Sequence, residues 1–315
     1  MVSNCSPRIQ ILMAVYNGSE FLADQMDSLL NQTYPNIEIL VSDDCSTDNS
    51  LSILEGYALG DSRVKLVLQN QRYGSAKEHF MALFQLADAP YVMTSDQDDV
   101  WDSTKVEKTL ETMLANEVAP AFPVLVCTDL RVVDQNLTPI APSFLRYSGM
   151  DASKLDFGYF LASCLVTGCT MMINAPLLEL MKAPVDSKKI VMHDWWASLV
   201  AAAFGRVVYS NQQTISYRQH QNNSVGAERF SISGAIASLG EKKATELSTF
   251  PQVEEFVRLF GKKCPSEYYS QAKSYMKIRD CLNPISKLRL AGRADVWRHG
   301  ILRNLATALT LLSIR

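Results

Sequence analysis

Three carboxylates stand within four residues of the stretch Ser95-Asp-Gln-Asp-Asp-Val-Trp101, at Asp96, Asp98 and Asp99. Like charges at this density repel one another until a cation or hydrogen-bond donors neutralise them. Hard oxygen ligands suit Mg²⁺ or Mn²⁺, which bind one or two carboxylates together with substrate phosphates. The plainer alternative is a solvated acidic turn capping the helix after Trp101. The preceding run, Tyr91 to Thr94, is β-prone and follows Pro90, so the cluster falls at the end of a short buried strand.

Two other strands end in polar loops. Arg8 to Val15 reads as a buried strand that Tyr16-Asn17-Gly18 turns into a helix over about 19–31, with Phe21, Leu22, Met26, Leu29 and Leu30 at helical spacing. Ile37 to Val41 is a strand leading into Ser42-Asp-Asp-Cys-Ser-Thr-Asp48, where Ser46, Thr47 and Asp48 can cap the next helix. A third strand, Val64 to Leu68, precedes a helix over about 75–86. Strand and helix alternating at this spacing give a parallel sheet with right-handed crossovers. Such sheets bind ligands at the carboxyl ends of their strands. The loops at 14–17, 42–44 and 95–98 are therefore expected to share one crevice. No Gly-x-Gly-x-x-Gly and no Gly-Lys-Ser/Thr loop is present, which argues against a dinucleotide dehydrogenase or a P-loop NTPase. An Asp-lined crevice suits a nucleoside diphosphate held through a divalent ion.

Beyond Trp101 the order is mixed. A helix over about 104–115 leads to a strand at 123–127. Residues 129–161, broken by Pro139, Pro142 and Gly149, read as acceptor-side loops. Val166 to Ile173 reads as a strand whose internal Gly168 can mark close approach of a ligand. His193-Asp-Trp-Trp196 opens a helix to Ala203, and short strands follow at 206–209 and 214–217, the second running into Arg218-Gln-His220. From Phe230 the pattern is helical, with Glu241, Lys242, Lys243, Glu254 and Glu255 on solvated faces. Residues 282–315 set Lys287, Arg289, Arg293, Arg298, Arg303 and Arg315 against the single acid Asp295, with apolar residues interleaved. Such a basic amphipathic segment either lies in a membrane interface or docks on the domain or on a second subunit.

With 315 residues, 47% of them hydrophobic, the chain can bury one large domain plus an appendage. A net charge of -3 gives no electrostatic footprint for nucleic acid. The seven cysteines are scattered, and Cys164 and Cys169 lack zinc spacing, so they read as small buried thiols in a reducing compartment. No apolar signal core stands at residues 1–8 and no apolar run reaches bilayer length, so the expected location is the cytosol or the cytosolic face of a membrane.

The segments Ile11-Leu-Met-Ala-Val-Tyr-Asn-Gly18, Ile39-Leu-Val-Ser-Asp-Asp-Cys-Ser-Thr-Asp48 and Ser95-Asp-Gln-Asp-Asp-Val-Trp101 occur in this order. Together they resemble the nucleotide-binding half of family 2 glycosyltransferases with the GT-A fold, over roughly residues 8–225. With His193-Asp-Trp-Trp196 and Tyr217-Arg-Gln-His220, the chain is similar to bacterial rhamnosyltransferase-like enzymes of surface-polysaccharide assembly. The resemblance implies a GT-A domain over 1–229, with a nucleotide half to about 120 and an acceptor half after it, and a helical extension over 230–315. The fold class it implies is α/β, a Rossmann-like mixed sheet flanked by helices.

The resemblance also implies roles. Ala14 and Tyr16 line the nucleobase pocket, Asp44 accepts the base N3–H, and Asp43 orients the loop. Arg72 reaches the ribose or diphosphate, or is a plain surface arginine. Asp98 contacts the metal, Mg²⁺ or Mn²⁺, while Asp96 lies nearer the ribose and diphosphate and Asp99 caps the helix or stands behind the ligands. His220 adds a metal ligand or a hydrogen bond to the diphosphate. Asp194 is the base that deprotonates the acceptor hydroxyl, or simply the helix N-cap. His193 orients its neighbour, and Trp101, Trp195 and Trp196 offer rings to the sugars. The implied reaction is inverting transfer from a dTDP- or UDP-sugar, dTDP-L-rhamnose favoured, to a saccharide or polyprenyl-linked acceptor.

Two rivals remain at this level. A sugar-1-phosphate nucleotidyltransferase would carry a Gly-rich basic loop where Tyr16-Asn-Gly-Ser-Glu20 stands. A non-catalytic nucleotide-sugar-binding partner would keep the fold without needing Asp96, Asp98 and Asp194.

Overall fold

The computed structural model describes residues 6–220, 239–298 and 300–314. The strands are β1 (Ile9–Val15), β2 (Ile37–Asp43), β3 (Val64–Leu66), β4 (Tyr91–Ser95), β5 (Val100–Trp101), β6 (Val124–Asp134), β7 (Pro139–Ala141), β8 (Met171–Asn174) and β9 (Arg206–Gln219). The helices are α1 (Leu22–Leu30), α2 (Ser50–Gly60), α3 (Ala76–Leu86), α4 (Lys105–Asn116), α5 (Phe144–Tyr147), α6 (Phe157–Ala162), α7 (Ala175–Met181), α8 (His193–Phe204), α9 (Leu239–Phe260), α10 (Ser266–Asp280), α11 (Pro284–Ala294) and α12 (Ile301–Ser313).

Two compact units divide the chain. The first holds residues 1–144, 166–182 and 208–227, and the second holds 145–165, 183–207 and 228–315. The boundary expected at 229/230 lies outside the described residues. The second unit is more interleaved than that boundary implies, because two earlier segments pack with the C-terminal helices.

The first unit is built on one mixed sheet in the order β3-β2-β1-β4-β8-β6-β9-β5, with β7 paired to β6. Its parallel half follows from the sequence directly. β1 is the apolar run Ile-Gln-Ile-Leu-Met-Ala-Val, nearly buried throughout, as a central parallel strand requires. α1 buries Leu22, Met26 and Leu29, each contributing on the order of 1.5–3 kcal/mol of transfer free energy. Register sets the site: Val15 pairs Asp43 and Met13 pairs Ser95, so Tyr16, Asp44 and Asp96 leave neighbouring strand ends. The sheet turns antiparallel where β8 pairs β4 and β6.

Three segments differ from the sequence reading. β6 runs on to Asp134 and β7, α5 and α6 follow, where 129–161 read as loops. The expected strand at 166–173 is a single 3₁₀ turn over Gly168–Thr170 followed by β8. Gly168 there gives its carbonyl to the Thr94 hydroxyl at 2.6 Å. The two short strands expected at 206–209 and 214–217 are one strand, β9, which runs extended through the polar stretch 210–213.

In the second unit α6, α8 and α9 share an aromatic core. Phe256 packs on Phe157, Trp196 and Phe204, and Phe260 packs on Trp196 and Phe204. α12 buries Leu311 and Ile314 lies just beyond its end, while Ile301, Leu305 and Leu309 are exposed. Among the described residues no helix is long and apolar enough to cross a membrane.

Candidate active site

The three strand-end loops are tied to one another by their own side chains. Asn17 donates its N–H to Ser46 Oγ and accepts from Thr47 N–H at 2.8 Å through Oδ1. Gly18 N–H donates to Ser50 Oγ, and Ser19 N–H to Asp48 Oδ2. Burial works to raise Asp48, but donors from Ser50 and Ser19 outweigh it and hold the carboxyl at about 2. Asn17 and Cys45 both adopt positive φ, 48° and 58°, which the loop hydrogen bonds must sustain. The third loop joins through Gln97. Its Oε1 accepts from Tyr16 N–H at 2.7 Å, and its Nε2 donates to Tyr16 O at 3.0 Å.

Beside these loops, Tyr16 is 45% exposed, Ala14 is half-buried and Arg72 is exposed. Asp44 is buried, and its two oxygens accept the backbone N–H groups of Tyr73 and Gly74, the latter at 2.9 Å. It pins the loop between β3 and α3. Asp43 gives Oδ2 to Ser46 N–H, while its buried Oδ1 has no hydrogen-bond partner among the described residues. Behind them His79 bonds Ser42 Oγ at 2.7 Å and stacks on Tyr73, and its pKa is lowered by burial, which favours the neutral ring.

The acidic loop is divided by depth. Asp98 Oδ2 lies 2.9 Å from His220 Nε2, with 16% and 10% of these side chains exposed. Asp99 is fully buried, accepts from Arg218 N–H at 3.1 Å and lies beside the Cys169 thiol. Burial first, then Asp98 and Asp96, push its carboxyl well above the usual range. Burial likewise raises the Cys169 thiol. Asp96, Asp99 and Cys169 bring one potential ligand atom each within 4.8 Å of one another. Asp99 and Cys169 are fully buried and a thiol is a soft ligand, so the three make a poor cradle for a hard cation that must also reach diphosphate oxygens. The Asp98–His220 pair offers an oxygen and a nitrogen at the accessible edge, and this donor set fits Mn²⁺ or Mg²⁺ with positions left for diphosphate oxygens.

Arg218 holds this loop and was missed by the sequence reading. It is 3% exposed. Its Nε donates to Asp98 O at 2.9 Å, one terminal nitrogen donates to Gln135 O and the other to Asp24 Oδ2, and the guanidinium sits 4.4 Å from the centre of the Phe21 ring. One side chain thus ties β9 to α1 and to the loops after β4 and β6. The only sequence signal was its place beside His220.

In the second unit, Met192 is the N-cap of α8, so Asp194 is not the cap residue that the sequence reading allowed. It stands in the first turn, half-buried, and accepts from Trp195 N–H at 2.6 Å. Burial takes the His193 imidazole down to about 3, so the ring is neutral near pH 7. The three tryptophans are corrected. Trp196 is fully buried against Phe256 and Phe260. Trp195 is 8% exposed with Nε1 donating to Phe160 O at 2.7 Å. Trp101 is 3% exposed and lies under Lys105 Nζ at 4.6 Å. Rings covered in this way are core, not sugar platforms. A signal existed: α8 reads His-Asp-Trp-Trp-Ala-Ser-Leu-Val-Ala-Ala-Ala-Phe, apolar on every face, the pattern of a buried helix.

A mixed α/β sheet flanked by helices, with polar loops gathered at the ends of its parallel strands, is the GT-A fold. The chain belongs to glycosyl transferase family 2, whose family model it matches over residues 10–179. It is 31% identical to the dTDP-rhamnosyl transferase RfbG of Shigella flexneri, over 68% of this chain and 74% of that one. It is 28% identical to the UDP-Glc:alpha-D-GlcNAc-diphosphoundecaprenol beta-1,3-glucosyltransferase WfgD of Escherichia coli, over 58% of this chain and 66% of that one. Among solved structures the mannosyltransferase PcManGT from Pyrobaculum calidifontis, in complex with GDP-Man and Mn²⁺, superposes with a TM-score of 0.57 at 17% identity, over 97% of this chain and 79% of that one. TarS of S. aureus gives a TM-score of 0.55 at 14% identity over 86% of this chain, which spans 43% of TarS.

Proposed function

We propose that the protein is an inverting glycosyltransferase of bacterial surface-polysaccharide synthesis. Its favoured donor is dTDP-L-rhamnose, and its acceptor is a saccharide or a lipid-linked saccharide. What carries the reading is the set of three loops hydrogen-bonded around Tyr16, Gln97 and the Asp98–His220 pair, together with the likeness to a dTDP-rhamnosyl transferase.

In this reading Tyr16 stacks on the base, with Ala14 beside it, and Asp44 receives the base N3–H. Arg72 and Asp96 serve the ribose and diphosphate. Asp98 and His220 would hold Mn²⁺ or Mg²⁺, which when bound stabilises negative charge on the departing nucleoside diphosphate. Asp194 takes the proton from an acceptor hydroxyl. That oxygen then forms its bond to the anomeric carbon as the bond from that carbon to the diphosphate oxygen breaks, and the nucleoside diphosphate leaves with the electron pair.

The work is assigned to the cytosol or the inner face of the cell membrane. The exposed Ile301, Leu305 and Leu309 of α12 support a peripheral membrane contact or a homo-oligomer. Vesicle flotation of the chain with and without residues 284–315 separates these, since an unchanged distribution removes the membrane contact.

The functional test is release of nucleoside diphosphate from dTDP-L-rhamnose, UDP-glucose, UDP-GlcNAc and GDP-mannose, with Mn²⁺ or Mg²⁺ and a GlcNAc-diphosphoundecaprenol acceptor. Turnover of dTDP-L-rhamnose supports the reading. Turnover of UDP-glucose instead favours the UDP-sugar alternative, for which the likeness to WfgD speaks. Binding of donors without turnover overturns both and leaves a nucleotide-sugar-binding partner.

A further inference from the structure

The segment 183–192, which leads into Asp194, contains no helix or strand. Its backbone is held instead by buried side chains of α9. Glu255 has no exposed surface, and its Oε1 accepts the Asp186 N–H at 2.8 Å while its Oε2 lies 3.3 Å from Lys189 Nζ. One turn earlier the fully buried Gln252 accepts the Val191 N–H through Oε1 at 2.9 Å. Val191 is three residues before Asp194. On the same face, Phe256 and Phe260 cover Trp196, two residues after Asp194. Residues 252, 255, 256 and 260 thus bracket Asp194 from both sides with one stripe of one helix, at the i, i+3, i+4, i+8 spacing that shares a helix face.

A buried carboxylate is costly unless its lone pairs are used, and here they are shared between Arg258 on the same helix and the Asp186 N–H and Lys189 of a segment with no regular structure. We propose that Glu255 and Gln252 are positioning residues for Asp194. On this inference α9, in the stretch after residue 229 that matches no catalytic motif, is part of the catalytic apparatus. The inference rests on the reading of Asp194 as the base. Reaction rates fall steeply when a catalytic group is displaced, by about 100-fold for a shift of roughly 1 Å.

The test compares steady-state kinetics of four variants with wild type, using the donor that wild type turns over, Mn²⁺ and GlcNAc-diphosphoundecaprenol. Glu255→Met and Gln252→Met remove the acceptors for Asp186 N–H and Val191 N–H. Each is expected to lower kcat by about 10- to 100-fold with the donor KM within about twofold. Glu255→Gln keeps an oxygen for the Asp186 N–H and is expected to recover most of the loss. Tyr275→Phe is the stability control. Its hydroxyl bonds Thr249 and Glu246 on the same helix at 2.6 and 2.8 Å, so its loss lowers Tm while kcat stays at the wild-type value. Amide hydrogen exchange over 183–192, expected to rise in the two Met variants alone, reports the same loosening without catalysis. Wild-type kcat in both Met variants, or an equal fall in Tyr275→Phe, overturns the inference. Asp194→Asn is run beside them: full activity there defeats the base assignment itself, whereas an inactive Asp194→Asn beside an active Glu255→Met defeats only the anchoring.

Discussion

Gln97 and Tyr16 are joined by two hydrogen bonds, the Tyr16 N–H to Gln97 Oε1 at 2.7 Å and Gln97 Nε2 to Tyr16 O at 3.0 Å. The middle residue of Asp96-Gln97-Asp98 therefore fixes the peptide that carries the exposed Tyr16 ring. A Cβ on Gly18 would stand 2.5 Å from Gln97 Cδ, so the glycine leaves room for this pairing. Gln97→Ala is expected to raise the donor KM by about 5- to 150-fold, since each of the two hydrogen bonds contributes about 0.5–1.5 kcal/mol. Gly18→Ala displaces a flexible side chain and should show the same defect. The double variant should be no worse than either single one. Additive losses would mean that the two residues act separately.

His220 gives the second expectation. Its Nε2 faces Asp98 Oδ2 at 2.9 Å. If the pair holds the ion, His220→Ala raises the Mn²⁺ concentration for half-maximal activity by at least the ~10- to 100-fold that loss of an outer partner costs. An unchanged Mn²⁺ titration removes His220 from the ligand set.

Glu255 makes stability depend on acid pH. Hydrogen bonds from Arg258 are the largest influence and, with Asp186 N–H and Lys189 and against burial, take its carboxyl from 4.5 to about 2. A depressed folded-state pKa adds stability above the unfolded value, and that stability is lost as pH falls from about 4.5 through about 2. The Lys189 and Arg258 side chains are 44% and 51% exposed, so screening trims the contribution to roughly 1–2 kcal/mol. Glu255→Gln should lose that much at pH 7 in a urea titration, and the gap should close near pH 2. A gap independent of pH would contradict the linkage.

Gly158 tests the packing of the second unit. A Cβ there would lie 2.5 Å from Asp295 O and 2.7 Å from Ala294 O, both backbone atoms. Gly158→Ala is expected to cost about 1–3 kcal/mol, as overpacking does. Gly292→Ala meets only Trp297 Nε1 at 3.8 Å inside α11 and should gain up to about 1 kcal/mol from helix propensity. Thermal unfolding of both variants checks the contrast, and equal Tm values would contradict it.

The parallel half of the sheet was legible because Ile9–Val15, Ile37–Asp43 and Tyr91–Ser95 are apolar runs ending in polar loops, a local pattern. The meeting of those loops followed from the topology rule for parallel sheets. The work of Arg218 was not legible, since its partners stand at 24, 98, 99 and 135 and no local pattern links them. The same holds for Glu255, which reads as a solvated helical charge until folding brings Asp186 and Lys189 onto it. The tryptophans misled for a different reason: a ring suited to sugars is equally suited to a core. For Trp195 and Trp196 only the all-round apolarity of α8 separates the two.

The most direct test of the account is a crystal structure with dTDP and Mn²⁺ bound. Expected are Mn²⁺ about 2 Å from a carboxylate oxygen of Asp98 and from His220 Nε2, the diphosphate on the same ion, and the thymine against Tyr16. A nucleotide bound away from these loops, or Mn²⁺ held by Asp96, Asp99 and Cys169 instead, would contradict it.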